Sequence, residues 1–268
     1  MIDNPLLNNA NTLPRWSGID ATHVVAAIEF LLEKSRYEIK QRLNKGAPFT
    51  WGNFAQPLEE LADELNSAWA PISHLHGVNN SPELRAEYEK AQQKLTAYST
   101  EMGQNNELYQ AWQSLADSPE FNDLTTAQRK MVNNELRDFT LAGVALADDK
   151  KAVYGELKQQ LSELTTNFSN NVLDATQAWF KHLPDATRLA GIPATVLPTL
   201  AQAAKARDLE GYALTLDFPC YLPVIQYCDD RELREEVYVA FSTRASKEGP
   251  GQSQWDNDDN MVAILSAR

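Results

Sequence analysis

Apolar residues recur every three or four positions along most of the chain, the spacing that puts them on one face of a helix. Val24, Ile28, Leu32, Ile39 and Leu43 trace one such face, with Asp20 as N-cap and Gly46 as C-cap. Thr50 caps a second helix carrying Phe54, Leu58, Leu61, Leu65 and Trp69, and Pro57 bends it or delays its start. Ser81-Pro82-Glu83 is a compact start signal: serine caps, proline takes the first helical position, and an acid sits at the positive end of the dipole. Leu84, Tyr88, Ala91, Leu95 and Met102 follow at helical spacing. Leu108, Trp112 and Leu115 predict a shorter helix, and Val132, Leu136 and Phe139 another after Thr125 or Thr126. The longest pattern begins at Asp148 and runs through Val153, Leu157, Leu161, Leu164, Phe168, Val172 and Ala175; it predicts one long helix with a buried stripe.

The period changes after residue 176. Gln177–Leu183 is short and aromatic. Gly211–Phe218 places Tyr212, Leu214, Leu216 and Phe218 on alternate positions, which predicts a strand. Pro193–Lys205 between them is helical, so a strand-helix-strand element is expected at about 177–218. Pro219 and Pro223 predict a tight segment through Tyr227. Asp229 or Asp230 then caps a helix with Leu233, Val237 and Phe241, and a last helix begins near Asp256. The resulting fold class is mainly α, with a helical bundle over 1–176 and the strand-helix-strand element and following helices over 177–268. Met261–Arg268 contains no Gly, Pro or cap, which predicts a chain cut from a longer protein.

Composition narrows the function classes. With 37 acidic against 24 basic residues the formal charge is −13, so neither nucleic acid nor an anionic membrane is an expected partner. The first residues lack the basic and apolar regions of a signal peptide, and no apolar run is long enough to span a bilayer. The expected compartment is the cytoplasm, with Cys220 and Cys228 as reduced structural thiols.

Candidate chemistry is sparse. None of His23, His74, His76 and His182 heads a His-Glu-x-x-His pattern. His74 and His76 lie about 200° apart on a helix and are expected on its surface or at caps. Asp256, Asp258 and Asn260 imitate the start of a calcium loop, but Met261 and Ala267 stand where glycine and glutamate are needed. Glu59, Glu60, Asp63 and Glu64 are expected to form a solvated face. No catalytic, cofactor-binding or metal-ligating residue is assigned.

Several longer segments carry more information. Leu189-Ala-Gly-Ile-Pro193, Glu210-Gly-Tyr-Ala-Leu-Thr-Leu-Asp217, Pro219-Cys-Tyr-Leu-Pro223, Gln226-Tyr-Cys-Asp229, Arg231-Glu-Leu-Arg-Glu235 and Ala240-Phe-Ser-Thr-Arg-Ala-Ser246 together resemble the N-terminal half of the thimet oligopeptidase and neurolysin family of zinc metallopeptidases. Asn4-Pro-Leu-Leu7, Gly46-Ala-Pro-Phe-Thr-Trp51, Pro71-Ile-Ser-His-Leu75, Asn80-Ser-Pro-Glu-Leu-Arg85 and Asn170-Asn-Val-Leu-Asp-Ala-Thr176 resemble its bacterial branch. His76 departs from the asparagine common at that place.

The resemblance implies a neurolysin-like N-terminal helical domain forming one wall of a channel that admits short unfolded peptides. It implies zinc in the full-length enzyme, held by residues C-terminal to this chain, and none in the chain itself. The expected partners are short peptides and the missing catalytic domain. An apolar patch near Tyr238, Phe241, Ile264 and Leu265 is expected to drive self-association. The alternative is a free-standing acidic helical interaction domain.

Overall fold

The capping signals are realised in the computed structural model, which describes residues 4–7 and 13–268. Helix α1 (Ala21–Lys45) opens on a capping box: the Asp20 carboxylate accepts from Thr22 N–H at 2.9 Å, and the Asp20 N–H donates to His23 Nδ1 at 3.0 Å. Gly46 closes it at φ 73°, a backbone region open to glycine at little steric cost. A π-helical turn at Trp51–Ala55, capped by Thr50, leads into α2 (Gln56–Val78). The wider turn falls just ahead of Pro57, which lacks an N–H and would crowd the carbonyl four residues back in a regular helix. In α3 (Pro82–Gly103) the Ser81 side chain accepts from Leu84 N–H at 3.1 Å.

Helices α4 (Asn106–Ala116), α5 (Glu120–Asp123), α6 (Thr126–Leu141) and α7 (Asp148–Ala178) follow. The sequence pattern missed α5, which is a single turn. Beyond α7 come β1 (Phe180–Leu183), α8 (Leu197–Lys205), β2 (Tyr212–Thr215), α9 (Phe218–Tyr227), α10 (Arg231–Thr243) and α11 (Asp258–Ala267). The fold is mainly α with one small strand-helix-strand element.

The chain divides into two compact units, Met1–Glu163 and Leu164–Arg268. The first holds two cores. One gathers Val24, Ile28, Leu32, Ile72 and Ala91 from α1, α2 and α3. The other gathers Phe54, Trp112, Leu115, Val132 and Phe139 around α4 and α6, with Phe54 and Trp112 edge to face at 5.0 Å. The second unit has a single core in which Leu200, Leu214, Leu216, Val224, Leu233 and Val237 meet.

In the second unit β1 and β2 pair antiparallel, Phe180 opposite Thr215 and Leu183 opposite Tyr212. The strands are shorter than the period suggested. Gln177 and Ala178 still belong to α7, and Phe218 already starts α9. The alternation in β2 does not mark a wet and a dry face, since Ala213, Leu214 and Thr215 are all buried. The tight segment expected from Pro219 through Tyr227 is helical. Pro219 fits the first turn, where no N–H is needed, and α9 accommodates Pro223 inside it.

Two glycines of the family-like segments have steric reasons. At Gly191 φ is 86°, and a Cβ would lie 2.2 Å from the Tyr227 carbonyl oxygen. At Gly211 φ is 84°, and a Cβ would lie 2.4 Å from the Leu183 carbonyl oxygen. These close approaches hold the loops against α9 and β1.

The long helix α7 exists as predicted, but its stripe is not a buried one. Val153 and Leu157 are 50% and 38% exposed, and Leu161, Leu164, Phe168 and Val172 are half-buried. In the first unit α7 meets α3 through polar groups instead. Gln159 donates to the Gln93 carbonyl at 3.2 Å, and Thr96 Oγ1 donates to Ser162 Oγ at 2.9 Å. Gln104 and Lys151 exchange side-chain-to-carbonyl bonds at 3.4 Å. Gln159 follows Leu157 by two residues, about 200° round the helix.

Candidate functional site

The four histidines are placed apart and each has a local role. His23 completes the α1 capping box. His74 is exposed and packs on Trp16, ring centroids 5.4 Å apart. His76, on the other side of α2, is only 8% exposed and lies flat on Tyr88 at 4.0 Å, while Trp69 stacks on the same tyrosine at 4.8 Å. This corrects the expectation of a surface histidine: at this position the imidazole is an aromatic filler between α2 and α3. Burial raises the Tyr88 pKa. His182 lies on β1 and its Nε2 donates to the Glu210 carbonyl at 2.7 Å, bracing the start of β2.

Both cysteines are free and buried. Thr215 N–H donates to Cys220 Sγ at 3.1 Å, and Cys228 Sγ–H donates to the Arg188 carbonyl at 3.3 Å. Burial pushes both thiols up, away from the reactive thiolate.

The acidic segments act as structure. Glu64 pairs with Lys34 at 2.5 Å, Glu60 accepts from Gln56, and Glu59 and Asp63 are exposed. Sequence reading missed Glu135 on α6, whose carboxyl pKa is raised by burial and then by the neighbouring charge of Glu59. Asp258 and Asp259 occupy the first turn of α11; Asp258 holds Lys247 at 3.1 Å, and Asp256 accepts from Asp258 N–H. Among the described residues no three His, Cys, Asp or Glu side chains converge as metal donors.

Asn257 was also missed, because an asparagine beside aspartates reads as loop. It is 4% exposed. Its Nδ2 donates to the Phe168 carbonyl at 3.1 Å, and its Oδ1 accepts from Asn171 and Asn260 at 3.0 Å. A single amide thus ties the start of α11 to α7. Asp230 caps α10 through Leu233 N–H and pairs with Arg188 at 2.6 Å; these bonds, the arginine first, lower its pKa to about 2.

Two surfaces are open to a partner. Between α3 and α7 in the first unit runs an open groove of about 610 Å³, lined by Thr100, Gln104, Lys151, Glu156, Gln160 and Glu163 among others. Residues of both charges line it, but the larger part of its surface is apolar. In the second unit α11 exposes Met261, Val262 and Leu265, the last at 65%, and α10 exposes Tyr238 and Val239. Of the residues expected in an apolar patch, Tyr238 and Leu265 are exposed. Phe241 and Ile264 are half-buried, Phe241 because it stacks on Tyr221 at 3.9 Å. No described helix is long and apolar enough to cross a membrane.

Residues 28–151 match the family model described as the N-terminal domain of neurolysin and thimet oligopeptidase. Over 265 residues the chain is 48% identical to oligopeptidase A of Escherichia coli (strain K12), covering 99% of this chain and 39% of that protein. Oligopeptidase A of Haemophilus influenzae is 47% identical over 267 residues, again 39% of its length. A probable cytosolic oligopeptidase A of Arabidopsis thaliana is 37% identical over 272 residues, 38% of its length. The chain therefore spans about two fifths of these relatives. Over nearly its whole length the chain is thus similar to oligopeptidase A proteins, and over residues 28–151 to the N-terminal domain of neurolysin and thimet oligopeptidase.

Proposed function

We propose that this chain is the non-catalytic N-terminal portion of a zinc-dependent oligopeptidase that hydrolyses short unfolded peptides, and that it forms one wall of the substrate channel. The observation that carries the reading is the 48% identity to an oligopeptidase A over 99% of the chain, which reaches only 39% of that relative. The histidines are spread over α1, α2 and β1 and each serves local packing or bonding, which supports a zinc site built elsewhere in the protein. In this reading the metal and the base that activates water belong to the remainder of the protein. What the chain supplies is shape: a rigid helical surface that limits access to extended peptides. We place the protein in the cytoplasm. The exposed apolar residues of α10 and α11 are the surface where the remainder would pack, and where the isolated chain would self-associate.

The test compares the reading frame extended past codon 268 with the 268-residue chain, each incubated with zinc and a fluorogenic peptide. The extended protein should cleave the peptide and lose activity to a chelator, while the short chain should do neither. Chelator-sensitive turnover by the short chain would overturn the proposal.

A further inference from the structure

Arg244 follows the last turn of α10 and is held in place from three sides. Its guanidinium lies 3.8 Å over the Phe241 ring, Nε donates to Thr176 Oγ1 at 3.1 Å, and Nη1 donates to the Phe241 carbonyl. The Phe241 ring in turn stacks on Tyr221 from α9, 3.9 Å apart with 17° between the planes. An arginine has five N–H donors, and these bonds use two. The outer edge of the fork is left without a protein acceptor among the described residues.

The charge is also unmatched. Arg36, Arg42, Arg137 and Arg188 each meet a carboxylate, whereas Arg129, Arg207 and Arg234 donate to backbone carbonyls. Arg244 meets none among the described residues, although the sequence holds 37 acids. Desolvation lowers its pKa, and the group acting against that trend is Tyr221, not a carboxylate. Tyr221 lies within electrostatic reach of both Arg244 and Tyr238. Neither tyrosine hydroxyl has a protein hydrogen-bond partner among the described residues.

A half-buried cation that is pre-positioned and unpaired suits a planar anion. The rigid fork loses little freedom on binding, and partial removal from water strengthens each charge-assisted bond. We propose that Arg244, set on the Phe241–Tyr221 stack, is a binding site for a carboxylate. Two sources supply that chemistry: the C-terminus of a peptide, and an aspartate or glutamate side chain of a polypeptide segment. The site stands independently of the peptidase reading, because binding is read without zinc and without hydrolysis.

The 268-residue chain carrying 15N-labelled arginine would be titrated with acetyl-trialanine, its C-terminal amide, and acetyl-Ala-Asp-Ala-amide. The Arg244 Nε–H signal, assigned by its loss in Arg244→Gln, should shift saturably with the free acid and at least tenfold less with the trialanine amide. Response to the aspartate peptide as well identifies carboxylates in general as ligands; response to the free acid alone identifies peptide C-termini. Response to the aspartate peptide alone identifies side-chain carboxylates. Arg244→Gln should abolish binding, followed through the peptide's own signals. Arg244→Lys, which keeps the charge and loses the fork, should weaken it at least threefold with the circular dichroism unchanged, and Tyr221→Phe should weaken it about twofold while keeping the ring stack. Equal response to the free acid and the trialanine amide, wild-type binding by Arg244→Lys, or no saturable shift with any of the three peptides would overturn the proposal.

Discussion

Helices α1 and α7 begin as near equals in sequence and end in different situations. Both carry a long stripe of branched apolar residues at helical spacing, and both form as one unbroken helix. In α1 the stripe is core: Val24, Ile28 and Leu32 are shut off between α2 and α3. In α7 Val153 and Leu157 look into solvent, and a polar row of Gln93 and Thr96 on α3 and Gln104 just past its end holds the helix from another side. Periodicity therefore specified the helix in both cases and the buried face in only one. An amphipathic pattern states which face wants cover; it does not state what provides it.

That contrast can be tested by cutting equivalent side chains. Ile28→Ala opens a cavity at a fully buried site and should cost about 2–5 kcal/mol in chemical denaturation. Val153→Ala, at the same kind of helical position, should stay within about 0.5 kcal/mol. If the two substitutions cost the same, the α7 stripe is covered in solution and the contrast fails.

The C-terminal half of α7 depends on a polar tie, so its weak point should be an amide. Asn257→Ala removes the bonds to Phe168 and Asn171 from a buried position and should cost about 1–3 kcal/mol, with loss of amide protection concentrated around 168–171 and the start of α11. Uniform loss of protection across the chain would argue against a local role.

The smallest effect expected is one of pH. Asp230 has its pKa lowered to about 2 by Arg188 and by the α10 cap. A lowered folded-state value means that the carboxylate stabilises the fold above the ordinary aspartate pKa of about 3.9 and loses that contribution as pH falls toward about 2. Asp230→Asn keeps a capping side chain and loses the charge. Its melting temperature should lie slightly below wild type at pH 7, and the gap should close on acidification. A gap that is constant with pH would separate the ion pair from stability. The pair is partly open to solvent, so screening keeps the change small.

The sequence by itself determined where the helices start and stop. Asp20, Thr50, Ser81, Thr125 and Asp230 cap because a side-chain oxygen reaches an N–H two or three residues ahead, and Gly46 ends α1 because φ 73° disfavours a side chain. These are interactions within one turn, so local chemistry suffices. The family-like segments were legible as sequence, but the reason for Gly191 and Gly211 is tertiary: a Cβ there would strike the carbonyls of Tyr227 and Leu183. Only the tertiary structure decided which faces are covered, and every such decision involves residues far apart in the chain. It put His76 against Tyr88, buried both sides of β2, made a helix of the proline-bracketed segment 218–227, and sank Asn257 among groups of α7. It also set Arg244 on an aromatic stack with no acid among the described residues to meet it. A missing partner across space is a property of packing, and no spacing along the sequence encodes it.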